Sequence, residues 1–325
     1  VGKTRVFSGT PFIYLILVKK YFGTFLLEFQ KNRIFNSSVV GMNPYSGEWD
    51  LLARRLSRFS SSFRDFDVGA GDYSAFDGSE LPSIHDSILS IVNRFYDDGN
   101  DLIREVLWLE LTNSRHVYKN VVTEWCSGLP SGHGCTIMVN CLYNMFAFRL
   151  SWMNAGLDLN QFSDLCELQV CGDDNIFSVH PSVSSIFNEM SLSGLMAKIG
   201  LKYTTEIKET ALYPFRDISE VEFLKRSFRW DGDVSRFIAP LRLSVVLEIP
   251  NWTKKTKDRD SISVSNINEC SRELSLHSRS IFQRYNSKLT QLKERFYPEF
   301  DTSLSLYMSY LLKKKLVLAT EQYFC

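Results

Sequence analysis

The chain has 325 residues, 44% of them apolar and 23% charged, and its 37 basic and 37 acidic side chains cancel. These are the proportions of an ordinary globular protein with room for two subdomains, and they exclude disordered and fibrous classes. The neutral sum gives no support of its own to a polyanionic partner. Charge is uneven along the chain, however. Residues 1–58 hold Lys3, Arg5, Lys19, Lys20, Lys31, Arg33, Arg54, Arg55 and Arg58 against Glu28, Glu48 and Asp50, about +6. Such a stretch either guides polyanions toward a site or forms a solvated face.

Phe12 opens a run of apolar and aromatic residues at helical spacing, so a helix is expected over 12–31. Gly41 to Gly47, with Asn43-Pro44, reads as a turn. A strand is expected over 63–70, running into Asp72, and then a helix over 81–96 with Ile84, Ile88, Ile91, Val92 and Phe95 on one face. Asp97-Asp98-Gly99-Asn100 breaks it before a second helix over 102–111. His116-Val117-Tyr118 and Val121-Val122-Thr123 flank Lys119-Asn120 as a short hairpin. A Gly-rich loop at 128–134 precedes a long apolar helix over 136–153. Two strands, 165–170 and 175–179, bend at Gly172-Asp173-Asp174, and a helix over 183–199, a strand near 202–204 and a hairpin spanning 221–229 follow. Strands and helices alternate without a repeated βαβ unit, which points to an α+β sheet domain. After Pro240 the character changes, and residues 261–318 look mainly helical.

The seven cysteines and five histidines show no C-x-x-C pair and no partnered spacing, so reduced thiols in a cytosolic setting are expected and a zinc site is not. No apolar run reaches the ~20 residues of a membrane span. The longest, from Phe12 to Val18, ends at Lys19-Lys20. There is no signal-peptide pattern, and the chain begins at Val1 with what looks like mid-domain sequence, so a fragment or a polyprotein cleavage product is expected.

Two acidic signatures carry the chemistry. One is Asp72-Tyr73-Ser74-Ala75-Phe76-Asp77, the other Cys171-Gly172-Asp173-Asp174-Asn175, with Ser131-Gly132-His133-Gly134-Cys135-Thr136 and Asn140 between them. An Asp at a strand end is usually a cap, and an Asp-Asp turn is usually solvated. Carboxylates that converge from separate strands instead suit a pair of divalent cations, the machinery of in-line phosphoryl displacement.

Taken in order, these segments resemble the RNA-dependent RNA polymerases of positive-strand RNA viruses, and most of all the picorna-like group with its dicistrovirus- and iflavirus-type enzymes. The resemblance extends to Lys208, to Phe223-Leu224-Lys225-Arg226 and upstream to Lys3-Thr4-Arg5, covering roughly residues 1–230. It implies a right-hand polymerase fold of α+β class, with an antiparallel-sheet palm, packed helices, partial fingers and a helical thumb. The expected division is partial fingers at 1–62, palm with an inserted fingers segment at 63–239, and thumb at 240–325.

By that resemblance Asp72 and Asp173 hold two Mg²⁺ ions, for which Mn²⁺ can substitute, with Asp174 assisting and the Tyr73 carbonyl a further ligand. Asp77 reads the ribose 2′-hydroxyl, with Asn140 and Thr136 in the same network, and Ser131-Gly132 flexes to admit nucleotide and template. Lys208, rather than Lys202, protonates the leaving pyrophosphate. Lys3 and Arg5 pair with nucleotide phosphates, and Lys225 and Arg226 grip the primer strand. Lys254, Lys255, Lys257 and Arg259 either track the product duplex or form a solvated face.

The implied partners are an RNA template, a primer or product strand, ribonucleoside triphosphates and other viral replication proteins. The implied place is host cytoplasm, at membrane-associated replication complexes reached through partners. Two departures stand out: Cys171 replaces the family's usual Tyr, and most of the fingers are missing, so the chain alone is expected to lack activity while keeping its carboxylates. Competing readings are a reverse transcriptase, which typically places a bulky residue where Asp77 stands, a non-catalytic RNA-binding replication scaffold, and a metal-dependent nuclease, in which residues 131–140 have no role.

Overall fold

The computed structural model describes residues 7–253, 257–300 and 308–319. Lys3, Arg5, Lys254 and Lys255 lie outside the described residues. In chain order the elements are α1 (Phe12–Lys31), α2 (Glu48–Leu56), β1 (Asp67–Tyr73), α3 (Phe76–Ser79), α4 (Pro82–Tyr96), α5 (Asp101–Thr112), β2 (Arg115–Tyr118), β3 (Val121–Glu124) and α6 (Thr136–Asn154). Next come α7 (Phe162–Leu165), β4 (Cys166–Cys171), β5 (Asp174–Val179), α8 (Glu189–Ala197), β6 (Tyr203–Thr205) and β7 (Arg216–Asp217). The remainder comprises β8 (Glu222–Phe223), β9 (Arg226–Ser227), β10 (Arg229–Asp231), β11 (Arg236–Ile238), α9 (Leu243–Glu248), α10 (Arg259–Leu274), α11 (Arg279–Phe296) and α12 (Tyr310–Leu318). Compactness divides the chain into two units: residues 1–41, 56–61 and 66–217, and residues 42–55, 62–65 and 218–325.

The first unit is built on an antiparallel sheet of order β4-β5-β1-β6, with β7 also pairing β1. Gly69 and Gly71 make the central strand possible. A β-carbon at Gly69 would fall 2.4 Å from the Phe177 ring, and one at Gly71 would fall 2.0 Å from the Tyr203 hydroxyl, so both aromatics cross the strand where it has no side chain. The expected strand over 63–70 is thereby shifted to Asp67–Tyr73, and Asp72 lies within the ladder, opposite Thr204. Below the sheet runs α6, whose Met138, Val139, Tyr143, Phe148 and Trp152 are buried in one apolar core with Phe177, Phe187 and Tyr203. An almost uniformly apolar helix of this kind is a core helix rather than a surface one.

The helix expected over 183–199 begins only at Glu189, because Asn188 and Ser191 form a reciprocal capping box that sets its start. The Glu189 carboxylate accepts the Ala70 N–H at 2.9 Å and meets Arg216 at 2.6 Å, while Arg216 also pairs with Glu206 at 2.6 Å. This network closes the gap on β1 between the stretches that pair with β6 and β7.

The second unit gathers the β8–β9 and β10–β11 hairpins with α2 and the C-terminal helices. Trp49 of α2 stacks on Phe228 at 4.6 Å, and Asp50 accepts the Phe237 N–H at 2.8 Å. Ile267, Cys270 and Leu274 of α10 pack with Phe282 and Leu289 of α11.

Two lysines of α12 are buried with opposite consequences. Lys314 pairs with Asp231 at 3.0 Å and with Asp233 at 2.5 Å. Among the described residues Lys313 meets the Ser271 hydroxyl and the Phe282 ring, and burial lowers its pKa to about 8. Below that value the fold carries a buried charge that the unfolded chain solvates, so stability rises as pH climbs from about 8 toward the ordinary 10.5. Lys313→Met is expected to raise stability at neutral pH by about 1 kcal/mol and to flatten that rise, as thermal unfolding at pH 7 and pH 10 would read.

Candidate active site

Asp72 stands near the end of β1, where the register pairs Gly71 with Asn175 of β5. Continuing that register brings Asp72 abreast of Asp174, at the start of β5. Its Oδ1 accepts the Tyr73 N–H at 2.7 Å, and its Oδ2 lies 2.8 Å from Lys208 Nζ. Lys208 sits at φ +66° on a tight turn, closed by Thr205 N–H to the Glu209 carbonyl at 3.0 Å and by Lys208 N–H to the Thr205 carbonyl at 2.8 Å. The hydrogen bond to Asp72 raises the lysine's pKa, holding the ammonium charged although the side chain is half exposed.

The β4–β5 hairpin closes through Gly172-Asp173, between the paired residues Cys171 and Asp174. Gly172 takes φ +67°, which favours glycine, and a β-carbon there would press on Ile137 at 3.1 Å. Burial, and then the nearby charge of Asp72, raise the pKa of Asp173. A half-buried carboxylate whose ionisation a neighbouring carboxylate penalises is poised for a cation. Cys171 is half-buried with its thiol pushed up to about 12, mainly by burial; it keeps the strand intact and stays neutral.

The loop and helix between these strands supply a second group. Asn140 donates to Asp77 Oδ1 at 2.7 Å, and its own Oδ1 is buried without a partner. The Asp77 carbonyl accepts the Leu129 N–H at 2.7 Å, and Gly128, at φ +80°, leaves no room there for a β-carbon. Ser131 and Gly132 are exposed, with the Ser131 carbonyl taking the Ser8 N–H at 2.9 Å. The hydroxyl of Thr136, the first residue of α6, donates to the Pro130 carbonyl at 3.1 Å.

Asp72, Asp77, Asn140, Asp173, Asp174 and Lys208 thus all belong to one unit, while Lys225 and Arg226 belong to the other. Lys225 is exposed at the tip of the β8–β9 hairpin, where Leu224 and Lys225 take φ +54° and +62°. Arg226, expected to grip the primer strand, has its contacts within its own unit. Its guanidinium faces inward to Glu273 at 2.8 Å and the Ala239 carbonyl at 2.6 Å, and is committed to holding its own unit together. Lys257 and Arg259 are exposed at the start of α10.

Sequence reasoning passed over Asn144 and Cys141. Asn144 donates to the carbonyls of Gly172 and Asp173, each at 3.0 Å, and accepts from the Tyr73 hydroxyl at 2.9 Å. Cys141 Sγ accepts the Gly172 N–H at 3.0 Å. The signal was present, since Asn144 lies one helical turn beyond Asn140 as a polar residue in an apolar helix.

Among the described residues, no three His, Cys, Asp or Glu side chains form a ready-made cation cage. The donor set nevertheless fits a hard divalent cation: carboxylate oxygens on adjoining strands, one carboxyl with a raised pKa, and a lysine ammonium already seated on Asp72 as a counter-charge.

The fold is that of the right-hand polymerases: a Sicinivirus 3Dpol RNA-dependent RNA polymerase superposes with a TM-score of 0.77 at 17% identity, over 96% of this chain and 62% of that one. Residues 1–294 match the family model for viral RNA-dependent RNA polymerases, and the chain belongs to that family. It is 33% identical over 311 residues to the replicase polyprotein of Drosophila C virus and 32% identical over 308 residues to that of acute bee paralysis virus. Each alignment covers 90% of this chain, which spans only 17% and 16% of those polyproteins. The expected picorna-like, dicistrovirus-type kinship is met by these relatives. The family uses a divalent metal. No helix among the described residues is long and apolar enough to cross a membrane.

Proposed function

We propose that this chain catalyses template-directed transfer of ribonucleotides to an RNA 3′-hydroxyl, copying a positive-strand viral genome. The observation that carries the reading is the meeting of Asp72 with the Gly172-Asp173-Asp174 hairpin in the same unit as the Asn140–Asp77 pair. A scaffold or a nuclease has no use for that pair. In this reading residues 1–62 form part of the fingers, 63–239 the palm and 240–325 the thumb.

Asp72 and Asp173, with Asp174 and the Tyr73 carbonyl beside them, would hold two Mg²⁺ ions, which lower the pKa of the 3′-hydroxyl and neutralise triphosphate charge when bound. Asp77 and Asn140 orient the incoming ribose. Ser131 and Gly132, exposed ahead of α6, border the nucleotide and template, and Lys3 and Arg5 meet phosphates. Lys225 contacts the primer strand. The enzyme works in host cytoplasm, joined to membranes and other replication proteins through partners.

Lys208 holds a proton at Nζ for the departing pyrophosphate. Lys208→Met is expected to slow the chemical step by about 10²-fold, with nucleotide KM nearly unchanged, because the lost term is general-acid catalysis. Single-nucleotide incorporation under pre-steady-state conditions reads it, and the solvent isotope effect should shrink with it.

The direct test is primer extension on a poly-ribonucleotide template with Mg²⁺, comparing ribo- and deoxynucleotides, with this chain carried in a full-length polymerase and beside Asp173→Asn. Ribonucleotide incorporation abolished by that substitution supports the reading. Metal-independent RNA binding with no incorporation would favour the scaffold, and equal use of deoxynucleotides would favour a reverse transcriptase.

A further inference from the structure

The side chains of Asn140, Cys141 and Asn144 share one face of α6, since positions three and four apart in a helix are neighbours. Asn140 reaches Asp77, while Cys141 and Asn144 reach the hairpin that carries Asp173. Asn144 is fully buried, and its amide is used completely. Both Nδ2 hydrogens go to the carbonyls of Gly172 and Asp173, and Oδ1 takes the Tyr73 hydroxyl. Tyr73 is the residue next to Asp72, and its ring is wedged between Phe76 and Tyr203. One amide therefore ties the tip of the β4–β5 hairpin to the end of β1. These are the two places that present Asp72 and Asp173, and no backbone pairing between β1 and Asp173 does that work.

We infer that Asn144 is a positioning residue, fixing the separation between the Asp72 and Asp173 carboxylates through the Gly172–Asp173 carbonyls and the Tyr73 hydroxyl. The role demands an asparagine. Aspartate would set an acceptor against two carbonyls, and leucine would take away the amide donor of the Gly172 carbonyl, leaving the Asp173 carbonyl to the Asn175 amide at 3.3 Å and the Tyr73 hydroxyl to Met196 Sδ at 3.8 Å. The inference rests on the metal-dependent reading of the site, and it bears on how well the cation is held rather than on which reaction follows. Groups that orient metal ligands typically govern affinity by 10- to 100-fold.

The test is Mn²⁺ binding to the whole chain, followed by paramagnetic resonance and titration calorimetry without RNA, for wild type, Asn144→Leu, Tyr73→Phe and the double variant, with thermal unfolding alongside. Asn144→Leu is expected to weaken Mn²⁺ binding at least about 10-fold. Tyr73→Phe removes one hydroxyl from a packed ring and is expected to weaken it about threefold, with the two effects less than additive because they act through the same hydrogen bond. If Asn144→Leu does not fold, Tyr73→Phe carries the test. Folded variants that melt earlier but bind Mn²⁺ as wild type does would overturn the inference, leaving Asn144 a core hydrogen bond only. Wild-type binding insensitive to Asp72→Asn and Asp173→Asn would instead overturn the metal-site reading itself.

Discussion

Asp173→Asn should lower ribonucleotide incorporation by about 10³-fold or more, equivalent to ~4 kcal/mol of transition-state stabilisation, while making the metal-free fold more stable. The two effects have opposite signs for one reason. The Asp173 carboxyl has a raised pKa, first through burial and then through the charge of Asp72. A carboxyl of that kind contributes stability below its unfolded value, and that contribution is lost as pH rises through the folded value. At neutral pH the metal-free wild type therefore carries the cost of an ionised, half-buried carboxylate beside Asp72, which the isosteric amide does not. Thermal unfolding without metal should show the variant melting higher at pH 7, with the difference shrinking toward pH 4. Adding Mg²⁺ should raise the wild-type midpoint and leave the variant's nearly unchanged. Loss of activity with a parallel loss of stability would mean that Asp173 serves the fold and not the cation.

The second large effect concerns the sugar. Asn140 spends its amide hydrogen on Asp77 and leaves its carbonyl oxygen buried and unpartnered. An unsatisfied buried acceptor costs about 1–3 kcal/mol, and a donor delivered by the substrate would relieve that cost. A ribose 2′-hydroxyl is such a donor and deoxyribose has none. Asp77→Ala and Asn140→Leu are each expected to cut the preference for ribo- over deoxynucleotides by at least about 10²-fold, mainly by lowering kcat/KM for the ribonucleotide. Competition of the paired triphosphates in single-nucleotide extension measures the ratio. A preference that survives both substitutions would reduce the pair to helix packing. Because Asn140 and Asp77 share a hydrogen bond, the double variant should lose little more than either single one.

The chain's local order was largely legible. Helical periodicity located α1, α4 and α6, and the two apolar runs around Gly172-Asp173-Asp174 located the β4–β5 hairpin. The capping box at Asn188 and Ser191 was also readable, yet the apolar run through Val183 and Phe187 drew the expected helix too far upstream. Glu48–Leu56 was passed over, although Trp49, Leu52, Ala53 and Leu56 have helical spacing and are all buried. The pairing of Arg226 with Glu273, 47 residues later, is harder to read, because nothing local to the hairpin announces it.

By itself the sequence determined which residue types and which local shapes were available. Carboxylates sit on short strands, a glycine at the hairpin tip takes a positive φ, and a long apolar helix carries Asn140 and Asn144 one turn apart. These follow from side-chain period and turn stereochemistry, which act over a few residues. Only the tertiary structure decided what meets what. The sheet order β4-β5-β1-β6 brings Asp72 abreast of the hairpin, α6 joins that hairpin to Tyr73, and Lys208 closes on Asp72. Such meetings depend on strand register and on which face of each element finds the core, and burial of the whole unit fixes both at once.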